Sequence, residues 1–126
     1  MKKDMGELLT KYPKIFRQSK LPMNQTCMCW GIATGSGWYD IIDKLCGEIQ
    51  AYCDKNGCQI EATQVKEKFG LLRFYTNVSN DDVDAMIERA EVQSSKTCES
   101  CGTTKGVKLR GTGWKNTLCD KCGSKE

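Results

Sequence analysis

Two pairs of closely spaced cysteines are the strongest chemical signal in this 126-residue sequence. The first pair lies in TCESCG and the second in LCDKCG, with 17 residues between the pairs. Two cysteines three positions apart can direct both sulfurs at one ion, and the glycine after each pair, Gly102 or Gly123, permits the tight turn that this requires. The spacing predicts a closed shell of four thiolates around one structural Zn²⁺ per chain. The predicted ligands are Cys98, Cys101, Cys119 and Cys122.

Other uses of these four cysteines are two disulfides, a redox pair or an iron–sulfur centre. Zinc is favoured because the paired spacing is typical of zinc modules and because disulfides are rare in the cytoplasm, where we expect this protein. The other cysteines have irregular spacing and no histidine partner, which disfavours a second metal site. They are Cys27, Cys29, Cys46, Cys53 and Cys58. Cys46 and Cys53 share one predicted helix stripe, where we expect them to pack as small apolar groups.

The chain contains no histidine, which restricts the chemistry available to it. Histidine is the usual general base, and it takes part in the Ser-His-Asp and Cys-His nucleophile pairs and in most catalytic zinc sites. Any hydrolytic activity must therefore use carboxylates, lysine, arginine, tyrosine or a metal.

The segment QVKEKFGLLRFY, residues 64–75, mixes cations with aromatic side chains. Its β-forming residues predict a two-stranded hairpin within residues 58–76. If Phe69 and Gly70 form a two-residue loop, one face of the hairpin is polar and the other faces the core. The polar face then carries Gln64, Lys66, Lys68, Arg73 and Tyr75, with Leu71 beside the turn. The apolar face carries Val65, Leu72 and Phe74, with Glu67 near its end.

The hairpin has the groups that cleavage of RNA by its own 2′-hydroxyl requires. The reaction needs a base for the hydroxyl, cations for the charge on the phosphate oxygens, and an acid for the leaving oxygen. Lys66, Lys68 and Arg73 are the candidate cations and Glu67 is the candidate base. Tyr75 or a lysine is the candidate acid. The alternative is a hairpin with ordinary solvated charges.

The insert between the two cysteine pairs also combines cations with an aromatic residue. Phosphate contact plus base stacking would use such a set, as in single-stranded nucleic-acid binders. The alternative is a ribbon hairpin whose tryptophan packs on the metal lobe while its lysines are solvated. The residues are Lys105, Lys108, Arg110, Trp114 and Lys115.

The surrounding pattern predicts an α+β fold. Apolar residues recur at helical spacing over residues 4–11, 38–55 and 81–94, and residues 20–37 are predicted to be a loop. Residues 1–95 should form an α+β domain that carries the hairpin, and residues 96–126 a zinc-ribbon module. With a net charge of +3, no signal-peptide pattern and no apolar run long enough to cross a bilayer, a cytoplasmic protein without membrane contact is expected.

The ordered segments GWYDIIDKLC, QVKEKFGLLRFY, TCESCG and GTGWKNTLC together resemble a family of small zinc-finger proteins of prophages and bacterial genomes. The similarity covers about residues 8–122, and in many members the fourth ligand is histidine rather than the cysteine found here at Cys122. The resemblance extends to ring-activated zinc-finger RNases of antiphage defence. It implies an RNase that stays inactive until a ring-forming phage protein organises it into a large homo-oligomer, after which it cuts RNA and restricts phage growth.

Two other interpretations remain open at this stage. The chain is alternatively a non-catalytic zinc-ribbon protein that binds nucleic acid or blocks a host or phage protein. In the other interpretation, the zinc lobe serves only folding and oligomer contacts. The apolar-rich segment MCWGIATGSGW, residues 28–38, is a candidate assembly surface, although Trp38 is expected in the core.

Overall fold

The computed structural model describes residues 4–21, 28, 31–111 and 115–123. Within these ranges the chain has the predicted α+β fold, with four α-helices and two small sheets. The helices are α1 (Gly6–Lys11), α2 (Tyr39–Asn56), α3 (Asp81–Ser94) and α4 (Asp120–Gly123). The strands are β1 (Ile32–Ala33), β2 (Ala62–Lys68), β3 (Leu71–Thr76), β4 (Lys108–Arg110) and β5 (Asn116–Leu118). None of the helices in these ranges is long and apolar enough to span a bilayer.

Helix α2 is the central helix of the core, and its predicted extent is confirmed. Its buried residues recur at three- and four-residue spacing, which places them on one face. They are Ile42, Leu45, Cys46, Ile49 and Cys53. The helix ends because Gly57 adopts a left-handed conformation with φ +66°, which glycine allows without a Cβ clash.

Helix α3 also has the predicted extent. The Asn80 side-chain oxygen accepts hydrogen bonds from the backbone N–H groups of Asp82, at 3.0 Å, and Val83, at 3.2 Å. These bonds satisfy two of the donors that a helix leaves free at its N-terminus. The helix packs on α2 and along β3, where the Leu72 N–H donates to the Ser94 hydroxyl at 3.0 Å.

The hairpin of β2 and β3 has the predicted register. Lys68 pairs with Leu71, Lys66 with Arg73 and Gln64 with Tyr75. The register follows from burial, since Val65 and Leu72 are fully buried and Phe74 is nearly so. Phe69 and Gly70 both have positive φ, +55° and +79°, as two-residue turns of type I′ require.

The prediction of a loop over residues 20–37 is wrong in one part. Strand β1 lies within that range and pairs in parallel with β2, Ile32 opposite Val65 and Ala33 opposite Lys66. The hairpin is therefore extended to a three-stranded sheet of order β1-β2-β3. A two-residue strand is too short to show an alternating pattern in the sequence. The strand forms because β2 offers a free edge for pairing, which its own two residues do not reveal.

The C-terminal ribbon is attached to the rest of the chain around Trp38. This side chain is fully buried in the main core, as expected, and its Nε1–H donates to the Thr97 carbonyl at 2.9 Å. Just before it, the Gly35 N–H donates to the Glu99 carboxylate at 2.8 Å, and the Gly37 N–H donates to the Glu99 carbonyl at 2.7 Å. Glycine is required at position 37 because a Cβ there would lie 2.2 Å from the Cys98 carbonyl oxygen. Trp30, which belongs to the candidate assembly surface of residues 28–38, lies outside the described residues.

Replacing Gly37 by alanine should therefore lower the free energy of unfolding by about 1–3 kcal/mol, because the backbone of the cysteine turn must move away. Urea denaturation would measure the change. Gly47→Ala is the matched control, since its Cβ would meet the Tyr12 hydroxyl at an ordinary 3.5 Å and alanine favours the helix interior. A Gly37→Ala protein as stable as the Gly47→Ala protein would contradict this close packing.

Candidate metal centre and cationic face

The two cysteine pairs converge on one point, as their spacing predicts. The sulfurs of Cys98, Cys101, Cys119 and Cys122 all lie within 4.8 Å of one another. The first pair lies in the turn after α3, and the second spans the end of β5 and the start of α4. Strands β4 and β5 pair antiparallel between them. This arrangement is consistent with a zinc ribbon, and the four thiols, which we call the metal-binding cluster, are close enough together to bind one metal ion.

Backbone N–H groups in the two turns donate to the carbonyl and the sulfur of the first cysteine of each pair. Gly102 adopts the left-handed conformation expected of it, with φ +83°, and its N–H donates to the Cys98 carbonyl at 2.9 Å. In the second turn the Cys122 N–H donates to the Cys119 sulfur at 3.4 Å. The Gly123 N–H makes the equivalent bond to the Cys119 carbonyl at 2.8 Å, but Gly123 ends α4 without the left-handed conformation of Gly102. Its lack of a side chain instead leaves room for Arg110, whose Cδ would lie 2.4 Å from a Cβ there.

The pKa values of the first and last thiols shift in opposite directions because the four groups lie close together. Burial opposes charge on Cys98, but N–H groups of Cys101, Cys119 and Ser100 outweigh it and lower the pKa of Cys98 to about 6. The hydrogen bond that Cys122 makes with Cys119, together with burial, raises the pKa of Cys122 to about 12. Four neighbouring thiolates repel one another, so full ionisation requires a metal ion among them. The donor set fits a closed four-sulfur shell without an open position for water.

Disulfides and a second cysteine site are not supported by the described part of the chain. The sulfurs of Cys101 and Cys119 are 3.7 Å apart, and all seven cysteines described there are free thiols. Cys46 and Cys53 are buried on α2, as predicted, and burial raises the pKa of the Cys46 thiol. Cys58 is exposed, and Cys27 and Cys29 lie outside the described residues.

The sheet brings four of the five predicted catalytic residues onto one face. We use the term cationic face for Lys66, Lys68 and Arg73, which lie on the polar side of β2 and β3 with Tyr75. Lys66 and Arg73 are direct cross-strand partners, so their Cβ atoms are about 4.5–5.5 Å apart. Among the described residues, neither Lys66 nor Lys68 forms an ion pair with a carboxylate.

Glu67 does not join this group, although it was the candidate base. It alternates to the opposite side of β2, and its carboxylate accepts a hydrogen bond from the Gly70 N–H at 2.7 Å. This bond holds the hairpin turn. The carboxylate also lies near Glu99. Burial raises the pKa of Glu99 and the charge of Glu67 raises it further, while the hydrogen bond from the Gly35 N–H acts in the opposite direction.

Glu91 on α3 is the carboxylate that accompanies the cationic face. Its Oε1 accepts a hydrogen bond from the Arg73 guanidinium at 2.6 Å, and both side chains are about one-third exposed or less. Sequence reasoning missed Glu91 because the contact depends on how α3 packs along β3. The stripe pattern of α3 places Glu91 next to a buried position, Ala90, but does not indicate its partner.

The basic residues of the ribbon have divided roles. Arg110 is structural, since its guanidinium donates to the Leu118 carbonyl at 3.0 Å and pairs with the Asp120 carboxylate. Lys105, Lys108 and Lys115 are exposed. Trp114 lies outside the described residues.

No protein-family model matches the chain, and it finds no match among curated proteins or among solved structures. The functional conclusions therefore depend on the two sites themselves, the four-cysteine cluster and the cationic face.

Replacing Cys98 by serine should remove the metal from the purified protein, because three thiolates and a weakly acidic hydroxyl no longer complete the shell. Elemental analysis of the protein after desalting measures the content. Cys58→Ser is the matched control and should keep the metal, since Cys58 is exposed and outside the cluster. Equal metal content in the two variants would contradict the proposed ligand set.

Proposed function

We propose that this protein is a zinc-supported ribonuclease that binds RNA on its cationic face. Four thiolates are a typical closed shell for Zn²⁺, which suits a structural ion in the ribbon. The observation that carries the proposal is the pairing of Lys66 with Arg73 across the hairpin, beside Lys68 and with the Glu91 carboxylate in contact. Cations that converge on one small area can clamp a phosphodiester and stabilise the charge that develops during its cleavage.

The proposed reaction is an attack by the ribose 2′-hydroxyl on the adjacent phosphorus. Glu91 takes the hydroxyl proton as the 2′-oxygen attacks, in the role first assigned to Glu67. The bond between phosphorus and the 5′-oxygen of the next nucleotide breaks, and that oxygen takes a proton from Tyr75 or Lys66. Arg73 and Lys68 stabilise the charged phosphate oxygens. The products are a 2′,3′-cyclic phosphate and a 5′-hydroxyl.

A second candidate function is RNA binding without cleavage, and one observation favours it. In the isolated chain Arg73 and Glu91 pair with each other, so neither group is fully available to substrate. A non-catalytic zinc-ribbon protein would use the same lysines to hold phosphates, or would block a host or phage protein.

The Arg73–Glu91 pair also suits the expected mode of activation. We propose that a ring-forming phage protein gathers copies of this chain into a homo-oligomer and so shifts the site toward an arrangement in which Glu91 leaves Arg73. The isolated protein would then cut RNA slowly, and assembly during infection would raise the rate. This proposal comes from the family resemblance together with the ion pair, and it makes the protein an antiphage defence RNase.

Replacing Glu91 by glutamine should reduce RNA cleavage by about 10²- to 10⁴-fold, because the amide cannot accept the hydroxyl proton. Glu67→Gln is the matched control and should cleave like wild type, since the amide oxygen can still accept the Gly70 N–H bond on the opposite face. The assay uses end-labelled RNA and DNA of the same sequence, each with and without a ring-forming phage protein.

Several outcomes of this assay are informative. Cleavage of the DNA strand would contradict attack by the 2′-hydroxyl, and equal activity of the two variants would contradict the role of Glu91. RNA that is bound but remains intact under every condition would favour the second candidate function.

A further inference from the structure

Phe69 has an unusual conformation at the tip of the hairpin. Its backbone φ is +55° and the residue is 70% exposed. Positive φ is uncommon for residues with a Cβ and is an outlier for a bulky side chain. Two-residue turns of this kind favour Asn followed by Gly, because both positions need positive φ. Gly70 follows this preference and Phe69 does not.

Folding does not explain the choice of phenylalanine at this position. The ring remains largely in water, so it contributes little apolar burial, and the backbone conformation disfavours it. Backbone strain of this kind clusters at binding and catalytic sites, where it positions a group for a ligand. The exposed ring of Phe69 is therefore a candidate ligand contact.

The ribbon contacts the turn that carries Phe69, and a lysine ammonium lies close to the Phe69 ring. The Thr117 hydroxyl donates to the Gly70 carbonyl, and Leu109 packs so closely that a Cβ on Gly70 would lie 2.3 Å from its Cδ1. The exposed Lys68 side chain places its ammonium 5.6 Å from the centre of the Phe69 ring. The ribbon thus holds the turn while the ring and the ammonium stay accessible together.

The chemistry of this tip fits a nucleic-acid strand better than an apolar partner. The exposed apolar side chains here are Phe69 and Leu109, and the Lys68 ammonium lies against the Phe69 ring. Lys66 and Lys108 are further cations on the adjoining strands, and the Glu67 carboxylate at the turn is engaged by the Gly70 N–H, so a polyanion is electrostatically favoured. An aromatic ring next to an ammonium can stack on a base while the cation contacts the neighbouring phosphate.

We infer that Phe69 stacks on an unpaired base of single-stranded RNA while Lys68 contacts an adjacent phosphate. The inference rests on the proposed function and narrows its substrate to single-stranded RNA. A duplex is excluded because its bases are stacked on one another and expose no face to the ring.

The test compares substitutions at position 69 in the full chain with metal bound. Phe69→Leu keeps an apolar side chain at the same strained position and should weaken binding of single-stranded RNA by about 5- to 150-fold, the range for loss of one base–aromatic stack. Phe69→Trp should bind at least as tightly as wild type. Phe69→Asn should lose affinity like the leucine variant yet raise the melting temperature, because asparagine tolerates positive φ. The probe is a short RNA with one 2-aminopurine, whose fluorescence is quenched by stacking.

Each of the other outcomes overturns the inference. Binding by Phe69→Leu that equals wild type would show that the aromatic ring is not needed. A lower melting temperature for Phe69→Asn would mean that the variant loses affinity because it is destabilised, not because a base stack is lost. Equal affinity for duplex RNA would contradict an unpaired base. If Lys66→Ala weakens RNA binding and the Phe69 variants do not, the stacking inference fails and the proposed function stands. A wild-type protein that binds no RNA would contradict both.

Discussion

Four thiols whose sulfurs lie within 4.8 Å of one another cannot all ionise unless a cation lies among them. The hydrophobic cluster of the ribbon, which would otherwise have to stabilise this segment, is very small. Its buried members are Cys98, Leu118 and Cys119, of which two are themselves members of the metal-binding cluster. We propose that binding of a metal ion supplies stabilisation that so little apolar burial does not, because ordering the segment costs conformational entropy.

The ribbon also contacts the turn of the hairpin that carries the cationic face. Besides the Trp38–Thr97 bond, one contact joins Glu99 to the backbone before α2, and a second joins Thr117 to the carbonyl of Gly70 at the hairpin turn. The second contact lies next to Phe69 and Lys68, so the ribbon supports the tip that we assign to RNA. On this account the metal affects function without taking part in chemistry, because it holds the structure that presents the cations and the ring.

Sequence patterns predicted those features that depend on local periodicity or on burial. The extents of α2 and α3, the hairpin register and the convergence of the four cysteines all follow from repeated spacing, which the chain expresses within a few residues. The features that were missed depend on contacts between distant segments. Strand β1 exists because β2 offers a free edge, Glu91 reaches Arg73 because α3 crosses β3, and Gly123 makes room for Arg110. For the same reason, the pattern could place Glu67 on the apolar side but could not show that it bonds to Gly70.

Amide hydrogen exchange before and after removal of the metal tests most directly whether the four-cysteine cluster supports the hairpin. Exchange reports local opening, so it separates loss of the ribbon from loss of the whole fold. The account predicts that chelation accelerates exchange in residues 64–75 and 97–119, while the buried centre of α2, residues 42–49, keeps its protection. Unchanged exchange in residues 64–75 after the metal has left would contradict it.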